Sequence, residues 1–202
     1  MTKLVTARQA VDRIGDGAVV TVSSSSTLGC PDAVLKAIGD RFRADGHPRA
    51  ITSLHPIAAG DVYGVKGMDH IAQDGLLARV LAGSYPSGPS SVEMPEIWKM
   101  IVEDRVAAYN VPSGIMFDMH REAAAFRPGV LTKVGLDTFV DPIRDGCAMN
   151  DCTTAKPSDW VLQAAARLAL RSDVYRLAAC TVCGSVGVHL TEDCPQQAAT
   201  TA

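Results

Sequence analysis

The sequence lacks the features that mark several large functional classes. Aromatic residues make up 5% of its 202 positions and the net charge is −3, so we expect no basic, aromatic-studded surface of the kind that binds nucleic acid. No apolar run approaches the roughly 20 residues that a membrane-spanning helix needs. Arg8, Asp12 and Arg13 interrupt the N-terminal stretch, which therefore does not resemble a secretory leader. We expect a cytoplasmic protein that binds neither nucleic acid nor membrane.

Common phosphate-binding and metal-binding motifs are also missing. The sequence has neither a Gly-x-Gly-x-x-Gly fingerprint nor a glycine-rich loop that ends in Gly-Lys-Ser/Thr. Cys180 and Cys183 form one Cys-x-x-Cys unit with His189 and Cys194 nearby. Zinc modules usually pair two such units or add a second histidine three to five residues from the first, and neither is present. Reduced thiols without a metal are therefore favoured.

Strand-like and helix-like runs alternate along the first 150 residues. Runs typical of strands occupy 18–22, 50–55, 78–84 and 106–111. Helices are predicted at 7–14, 31–43, 67–77 and 92–103. This alternation predicts an α/β fold, with a mostly parallel sheet and helices on both of its faces. After residue 150 the periodicity is lost, apart from an Ala/Leu/Arg-rich run at 163–170 that is compatible with a helix.

Three of the predicted strands end in loops of small residues, at 23–30, 84–89 and 110–114. In open α/β sheets, ligands bind just outside the carboxyl ends of the strands, so these loops are expected to converge on one crevice. The candidate binding residues are Ser24, Ser26, Gly29, Ser84, Asn110, Ser113 and Gly114. Asn110 and Ser113 have an equally good alternative role, which is to satisfy backbone groups in a tight turn.

Titratable residues outside these loops have simpler interpretations. His70 is expected to be an interior histidine with its hydrogen bonds satisfied, and His120 is expected at the surface. Lys133 is more readily explained as a solvated lysine than as a partner for the phosphate group of a ligand. Glu103 and Asp104 are adjacent in sequence, so they do not face each other on a helix and are interpreted as a solvated pair.

Several short motifs, taken in order, resemble the family I CoA-transferases of the acetate, 3-ketoacid and propionate branch. The matching stretches are VVTV at 19–22, CPDAVL at 30–35, GMDH at 67–70, GLL at 75–77, AYNVPSG at 108–114, REAA at 121–124, RPG at 127–129 and TKVGLDTFVDP at 132–142. Each motif alone is weak, and their common order carries the resemblance. It covers residues 1–150 and leaves 151–202 as a divergent tail.

The resemblance implies a CoA-transferase type of α/β fold and the first, α-type half of an enzyme built from two related halves. In that family, a glutamate on the second half attacks a short-chain acyl-CoA, and the resulting glutamyl-CoA passes CoA to a carboxylic acid of the acetate or 3-keto acid class. No residue of this chain aligns with that glutamate, so no catalytic residue is assigned. Coenzyme A is then a substrate, no cofactor is bound permanently, and the expected partner is a β-type subunit in an oligomer.

The resemblance also assigns roles to the candidate loops and leaves alternatives open. Ser24 to Gly29 are expected near the acyl or acceptor carboxylate, with Asn110, Ser113 and Gly114 lining the same cleft and Ser84 less clearly placed. The chain is alternatively a non-catalytic module that binds acyl-CoA or a carboxylate, or an inactive truncated fragment. The tail is either an out-of-frame continuation with poor packing or a divergent arm that docks on a partner.

Overall fold

A four-stranded parallel sheet forms the centre of the computed structural model, which describes residues 4–61, 64–86, 93–125, 130–154 and 162–163. Its strands lie side by side in chain order: β1 (Val19–Thr21), β2 (Ile51–His55), β3 (Leu77–Ala82) and β4 (Ala107–Asn110). Each overlaps a strand predicted from the sequence. A second, two-stranded parallel sheet pairs β5 (Val130–Leu131) with β6 (Leu162–Gln163).

Helices connect the strands of the main sheet. They are α1 (Ala7–Val11), α2 (Asp32–Asp45), α3 (Glu96–Val102) and α4 (Ser113–Ala124). Thr6 caps α1, because its hydroxyl accepts the N–H of Gln9 at 3.2 Å while the Gln9 side chain accepts the N–H of Thr6. α2 ends at Gly46, whose φ of 73° is the left-handed conformation that glycine adopts without steric cost.

The two faces of the sheet bury alternate side chains, as the period of two along a strand requires. Val80 and Ala82 of β3 pack on the face covered by α1, α2 and α3, which we call the front face. Leu81, between them, packs on the back face against Ile115, Met116 and Met119 of α4. The prediction of a parallel α/β sheet with helices on both faces is therefore confirmed.

The predicted helix at 67–77 is wrong. Only Gly67–His70 forms a single 3-10 turn, and Leu77 already begins β3. Gly67 and Gly75 have φ values of 58° and 82°, which lie outside the range of a right-handed helix. The apolar residues of this segment suggested a helical stripe, whereas the structure buries Met68, Ile71, Leu76 and Leu77 through a series of turns.

The two edges of the main sheet differ. Residues 147–149 cover the outer edge of β4, where the N–H of Asn110 donates to the carbonyl of Cys147 and the N–H of Met149 donates to that of Ala108, both at 2.9 Å. At the opposite edge, β1 pairs only with β2 within the part of the chain that the structure describes.

Most of the divergent tail lies outside the described residues, including Cys180, Cys183 and the run 164–170 of the predicted helix. Gln163, where that helix was predicted to begin, belongs to β6 instead. At the start of the tail, Thr153 is buried and accepts the N–H of Ala108 at 2.9 Å. The division into residues 1–150 and 151–202 remains a prediction.

Candidate functional site

The carboxyl ends of the strands meet at the loop 56–60, which follows β2. The hydroxyl of Ser24 and the N–H of Ser26 both donate to the carbonyl oxygen of Ala58, at 3.3 Å and 2.9 Å. The N–H of Ala58 donates in turn to Oγ of Ser84, at 3.0 Å. Three residues predicted from two separate loops therefore converge on one residue, and we call this arrangement the Ala58 junction.

Ser113 and Asn110 belong to the adjoining end of β4. Ser113 packs directly against Gly83, so closely that a Cβ on Gly83 would overlap the Ser113 hydroxyl. Asn110 lies in register with Ala82 of β3, which is itself in register with His55 of β2. The side chain of Asn110 is half-buried and makes no hydrogen bond to the other described residues. Among the described residues, its amide therefore has no protein partner at this edge of the sheet.

The predicted loop 110–114 is shorter than expected, because α4 begins within it. Pro112 occupies the N-cap position, and Ser113 and Gly114 already form the first turn of α4. The N–H groups of a first helical turn have no acceptor inside the helix. The start of α4 therefore adds backbone donors to the carboxyl edge, which suits a negatively charged ligand group.

Gly29 and Gly114 take no part in the Ala58 junction. Both are exposed, and a Cβ on either would meet nothing within 4 Å among the described residues. Gly29 has a φ of 70° and follows a tight turn in which Ser25 and Leu28 exchange backbone hydrogen bonds. Their assignment to a binding cleft remains a prediction.

His55 was not singled out from the sequence, although it occupies the middle of this edge. It is fully buried at the end of β2, with Nε2 2.5 Å from Oγ of Ser53 and Nδ1 without a hydrogen-bond partner among the described residues. Burial lowers the pKa of His55 from 6.5 to about 4, so its ring is neutral at neutral pH. A histidine that ends a predicted buried strand was the signal available in the sequence.

The environment of His120 differs from the prediction of a surface histidine. The residue is half-buried on the back face, and its Nε2 lies 2.6 Å from Oγ1 of Thr21. Burial lowers the pKa of His120, opposed in part by a hydrogen bond with the backbone of Met116. Because Thr21 ends β1 and His120 lies on the helix after β4, this contact spans the whole sheet.

The remaining titratable residues do not reach the Ala58 junction through any contact found in the described residues. His70 is largely buried, and its Nε2 lies 3.2 Å from Oδ1 of Asp32 but outside hydrogen-bond geometry. The prediction of an interior histidine with its hydrogen bonds satisfied is therefore only partly correct. Lys133 is exposed, as expected. Burial, followed by the charges of Asp32 and Asp61, raises the pKa of the Cys30 thiol, which therefore stays protonated and weakly nucleophilic.

The site is polar but uncharged. The side chains at the strand ends are hydroxyls, one amide and the neutral imidazole of His55, and in the described residues none of the hydroxyls of Ser24, Ser26, Ser84 or Ser113 is hydrogen-bonded to a histidine or a carboxylate. A serine without such a base is a poor nucleophile. These groups can bind and orient a carboxylate or a thioester carbonyl, but they cannot attack it.

The fold that carries this site is an α/β fold of the CoA-transferase type, as solved structures demonstrate. The acyl-CoA transferase YdiF of E. coli O157:H7, in a thioester complex with CoA, matches with a TM-score of 0.63 and 27% identity over 75% of this chain and 28% of its own. The apoenzyme from the same source matches with a TM-score of 0.64 and 28% identity over 76% of this chain and 28% of its own.

Sequence comparison gives relatives of the same kind. The chain is 36% identical over 154 residues to the caffeate CoA-transferase of Acetobacterium woodii, which covers 76% of this chain and 28% of that protein. It is 30% identical over 156 residues to the acetate CoA-transferase YdiF of Escherichia coli K12, or 74% of this chain and 27% of that one. The chain thus spans little more than a quarter of the length of these relatives. No family model matches it.

Proposed function

We propose that this chain is the first, α-type half of a CoA-transferase and that turnover requires a second half. The observation that carries this proposal is the 36% identity to caffeate CoA-transferase over three quarters of the chain. Caffeate CoA-transferase is more than three times longer than the matched region. The uncharged strand-end site supports it, because such a site supplies binding groups and leaves the nucleophile to another part of the enzyme.

The proposed reaction exchanges CoA between a short-chain acyl-CoA and a small carboxylic acid of the acetate or 3-keto acid class. A glutamate carboxylate of the second half attacks the thioester carbonyl, the C–S bond breaks, and a mixed anhydride and CoA thiolate form. The thiolate then attacks the glutamyl carbonyl and releases the acyl group as a carboxylate. The acceptor acid reverses these two steps, so the glutamate is regenerated and CoA leaves on the acceptor.

The residues of this chain would bind and orient the reacting groups. In this proposal the Ser113 hydroxyl, the first N–H groups of α4 and the Asn110 amide would donate hydrogen bonds to an acyl or acceptor carboxylate. Such donors also stabilise the oxyanion formed when a carbonyl is attacked, an effect worth about 3 kcal/mol per donor in enzymes. Ser24, Ser26 and Ser84 would hold the loop 56–60 in place beside them.

The experiment is to co-express the full chain with the polypeptide that comprises the remainder of caffeate CoA-transferase. Transfer is measured as exchange of labelled acetate into acetyl-CoA. Caffeate CoA-transferase split at the same boundary provides the positive control. We expect transfer by the assembled pair, with a loss of about tenfold to a hundredfold in Ser113→Ala and little change in Ser25→Ala, whose exposed side chain lies in the same group of loops.

The result that contradicts the proposal is an assembled complex that transfers CoA from no short acyl-CoA while the split control is active. Binding of acyl-CoA without transfer would instead support the non-catalytic module.

A further inference from the structure

The orientation of Asn110 is set by its backbone. Its side-chain amide makes no hydrogen bond to the other described residues. Peptide groups are planar, so such a side chain is oriented by the two peptide groups that flank its Cα atom. Both groups are hydrogen-bonded. The N–H of Asn110 donates to the carbonyl of Cys147, and the N–H of Val111 donates to the carbonyl of Ala82, each at 2.9 Å.

A third hydrogen bond to these peptide groups comes from a side chain. The hydroxyl of Tyr85 donates to the carbonyl oxygen of Tyr109 at 2.8 Å. This carbonyl belongs to the same planar peptide group as the N–H of Asn110, so Tyr85 and Cys147 hold that group from its two sides. Of these three bonds, only the one from Tyr85 depends on residue type, because the other two join backbone atoms.

Tyr85 is itself fixed by its neighbours. It belongs to the front-face cluster and is 8% exposed. Oγ of Ser84, the residue before it, accepts the N–H of Ala58 at 3.0 Å. The ring of Trp98 packs 5.3 Å from the ring of Tyr85, and Nε1–H of Trp98 donates to the carbonyl of Pro86 at 2.7 Å. The tyrosine is therefore held through both the residue before it and the residue after it.

The hydroxyl of Tyr85 is a hydrogen-bond donor at neutral pH and lies on the same face as Asn110. Burial raises the pKa of Tyr85, opposed in part by the bond to the backbone of Tyr109, so the hydroxyl stays protonated. Ala108, two residues before Asn110, packs in the front-face cluster together with Tyr85. Side chains two apart on a strand share a face, so Asn110 also faces the front.

We propose that Tyr85 is a positioning residue for Asn110 in CoA transfer. Its hydroxyl fixes the peptide group that carries Asn110, and Asn110 donates to an oxygen atom of the reacting carboxylate or thioester. This role rests on the proposed function, which assigns Asn110 as a donor. A donor that is already oriented needs no rearrangement as charge develops on the oxygen, so a residue that touches no reacting atom can still affect the rate.

The first test uses the full 202-residue chain alone and measures residue-resolved amide hydrogen exchange. Tyr85→Phe removes only the hydroxyl and keeps the ring that packs on Trp98. In this variant the amide of Asn110 should exchange about fivefold to tenfold faster, the effect of about one hydrogen bond. The amide of Ala108, which donates to Oγ1 of Thr153 at 2.9 Å, should exchange at the wild-type rate.

The second test is a double-mutant cycle in the chain co-expressed with the remainder of caffeate CoA-transferase. Tyr85→Phe should lower kcat/KM for the exchange of labelled acetate into acetyl-CoA about tenfold. In the Asn110→Ala background it should have no further effect, because Tyr85 acts through Asn110. Thr153→Val is the matched control. It removes another hydroxyl that binds the backbone of β4, and kcat/KM should stay unchanged in both backgrounds.

Three results would overturn the assignment of Tyr85. The first is unchanged exchange of the Asn110 amide in a folded Tyr85→Phe. The second is an equal loss of kcat/KM from Tyr85→Phe in the wild-type and Asn110→Ala backgrounds, and the third is a loss in Thr153→Val as large as in Tyr85→Phe. If the wild-type pair transfers no CoA while the split caffeate enzyme is active, the proposed function is contradicted and the role of Tyr85 in transfer falls with it.

Discussion

Replacing Gly83 with alanine tests the close approach between β3 and α4 at the site. A Cβ at this position would overlap the carbonyl oxygen of Pro56 and the hydroxyl of Ser113, and would lie 3.0 Å from Cα of Ser113. The hydroxyl can rotate away, but the other two atoms are backbone, and hydrogen bonds at Ala58 hold the nearby loop. Overpacking of this kind costs about 1–3 kcal/mol, and the two backbone contacts favour the upper end of that range.

Gly114, one residue after Ser113, provides the matched control. A Cβ there meets nothing within 4 Å, and neither glycine has a positive φ, so only local space distinguishes the two positions. Gly114→Ala should leave the free energy of unfolding unchanged or raise it by about 0.4–1 kcal/mol through the lower entropy of the unfolded chain. Urea unfolding at neutral pH measures both variants. A Gly83→Ala protein as stable as the wild type, or equal losses in both variants, would refute the packing described for this edge.

Three further predictions concern buried polar groups. Because burial lowers the pKa of His55 from 6.5 to about 4, the unfolded chain binds the additional proton between these values. The free energy of unfolding should therefore fall by about 3 kcal/mol as the pH drops from 6.5 to 4. His55→Gln should remove this part of the pH dependence. The prediction is contradicted if the free energy of unfolding changes with pH in the same way in the wild type and in the variant. Asn150→Ala leaves two backbone carbonyls without the amide that now donates to both at 2.9 Å. It should lower the urea midpoint by an amount equivalent to about 1–3 kcal/mol, with the exposed Asp151→Ala as a neutral control. Ser84→Ala removes the acceptor of the Ala58 N–H, so amide exchange at Ala58 should accelerate about tenfold; unchanged exchange would show that the hydroxyl does not hold this loop.

The strands of the main sheet were predictable because buried parallel strands are short, almost continuously apolar runs. Val106–Val111 and Ala18–Val22 are such runs, and the structure places β4 and β1 inside them. The segment 67–77 was mispredicted because its apolar residues have a helix-like spacing. The left-handed φ values of Gly67, at the start of the 3-10 turn, and of Gly75, just before β3, depend on the turns that the chain makes there. The spacing of apolar residues indicates which side chains are buried. It does not distinguish a helix from a series of turns that buries the same side chains.

The candidate site was predictable in part for a similar reason. Parallel strands bring their carboxyl ends to one edge, so Ser24, Ser26 and Ser84 could be grouped from their positions after two strands. Their common partner, Ala58, has no polar side chain and binds them through its backbone. Every residue has a backbone carbonyl, so residue type could not identify Ala58 as the partner. His120 was placed at the surface because its neighbours in sequence are charged, whereas the pitch of α4 turns it toward Thr21.

The sequence by itself determined the local elements, the α/β class and the small polar residues at the strand ends, because these depend on residue type and short-range spacing. Tertiary structure alone decided that the three serines bind the backbone of one residue, that His55 is neutral and buried, and that α4 lies on the face opposite to α2 and α3. Those features depend on contacts between residues far apart in the chain, such as Thr21 and His120. The position of β1 at an edge of the described sheet is of the same kind, since it follows from strand order and not from the residues of β1.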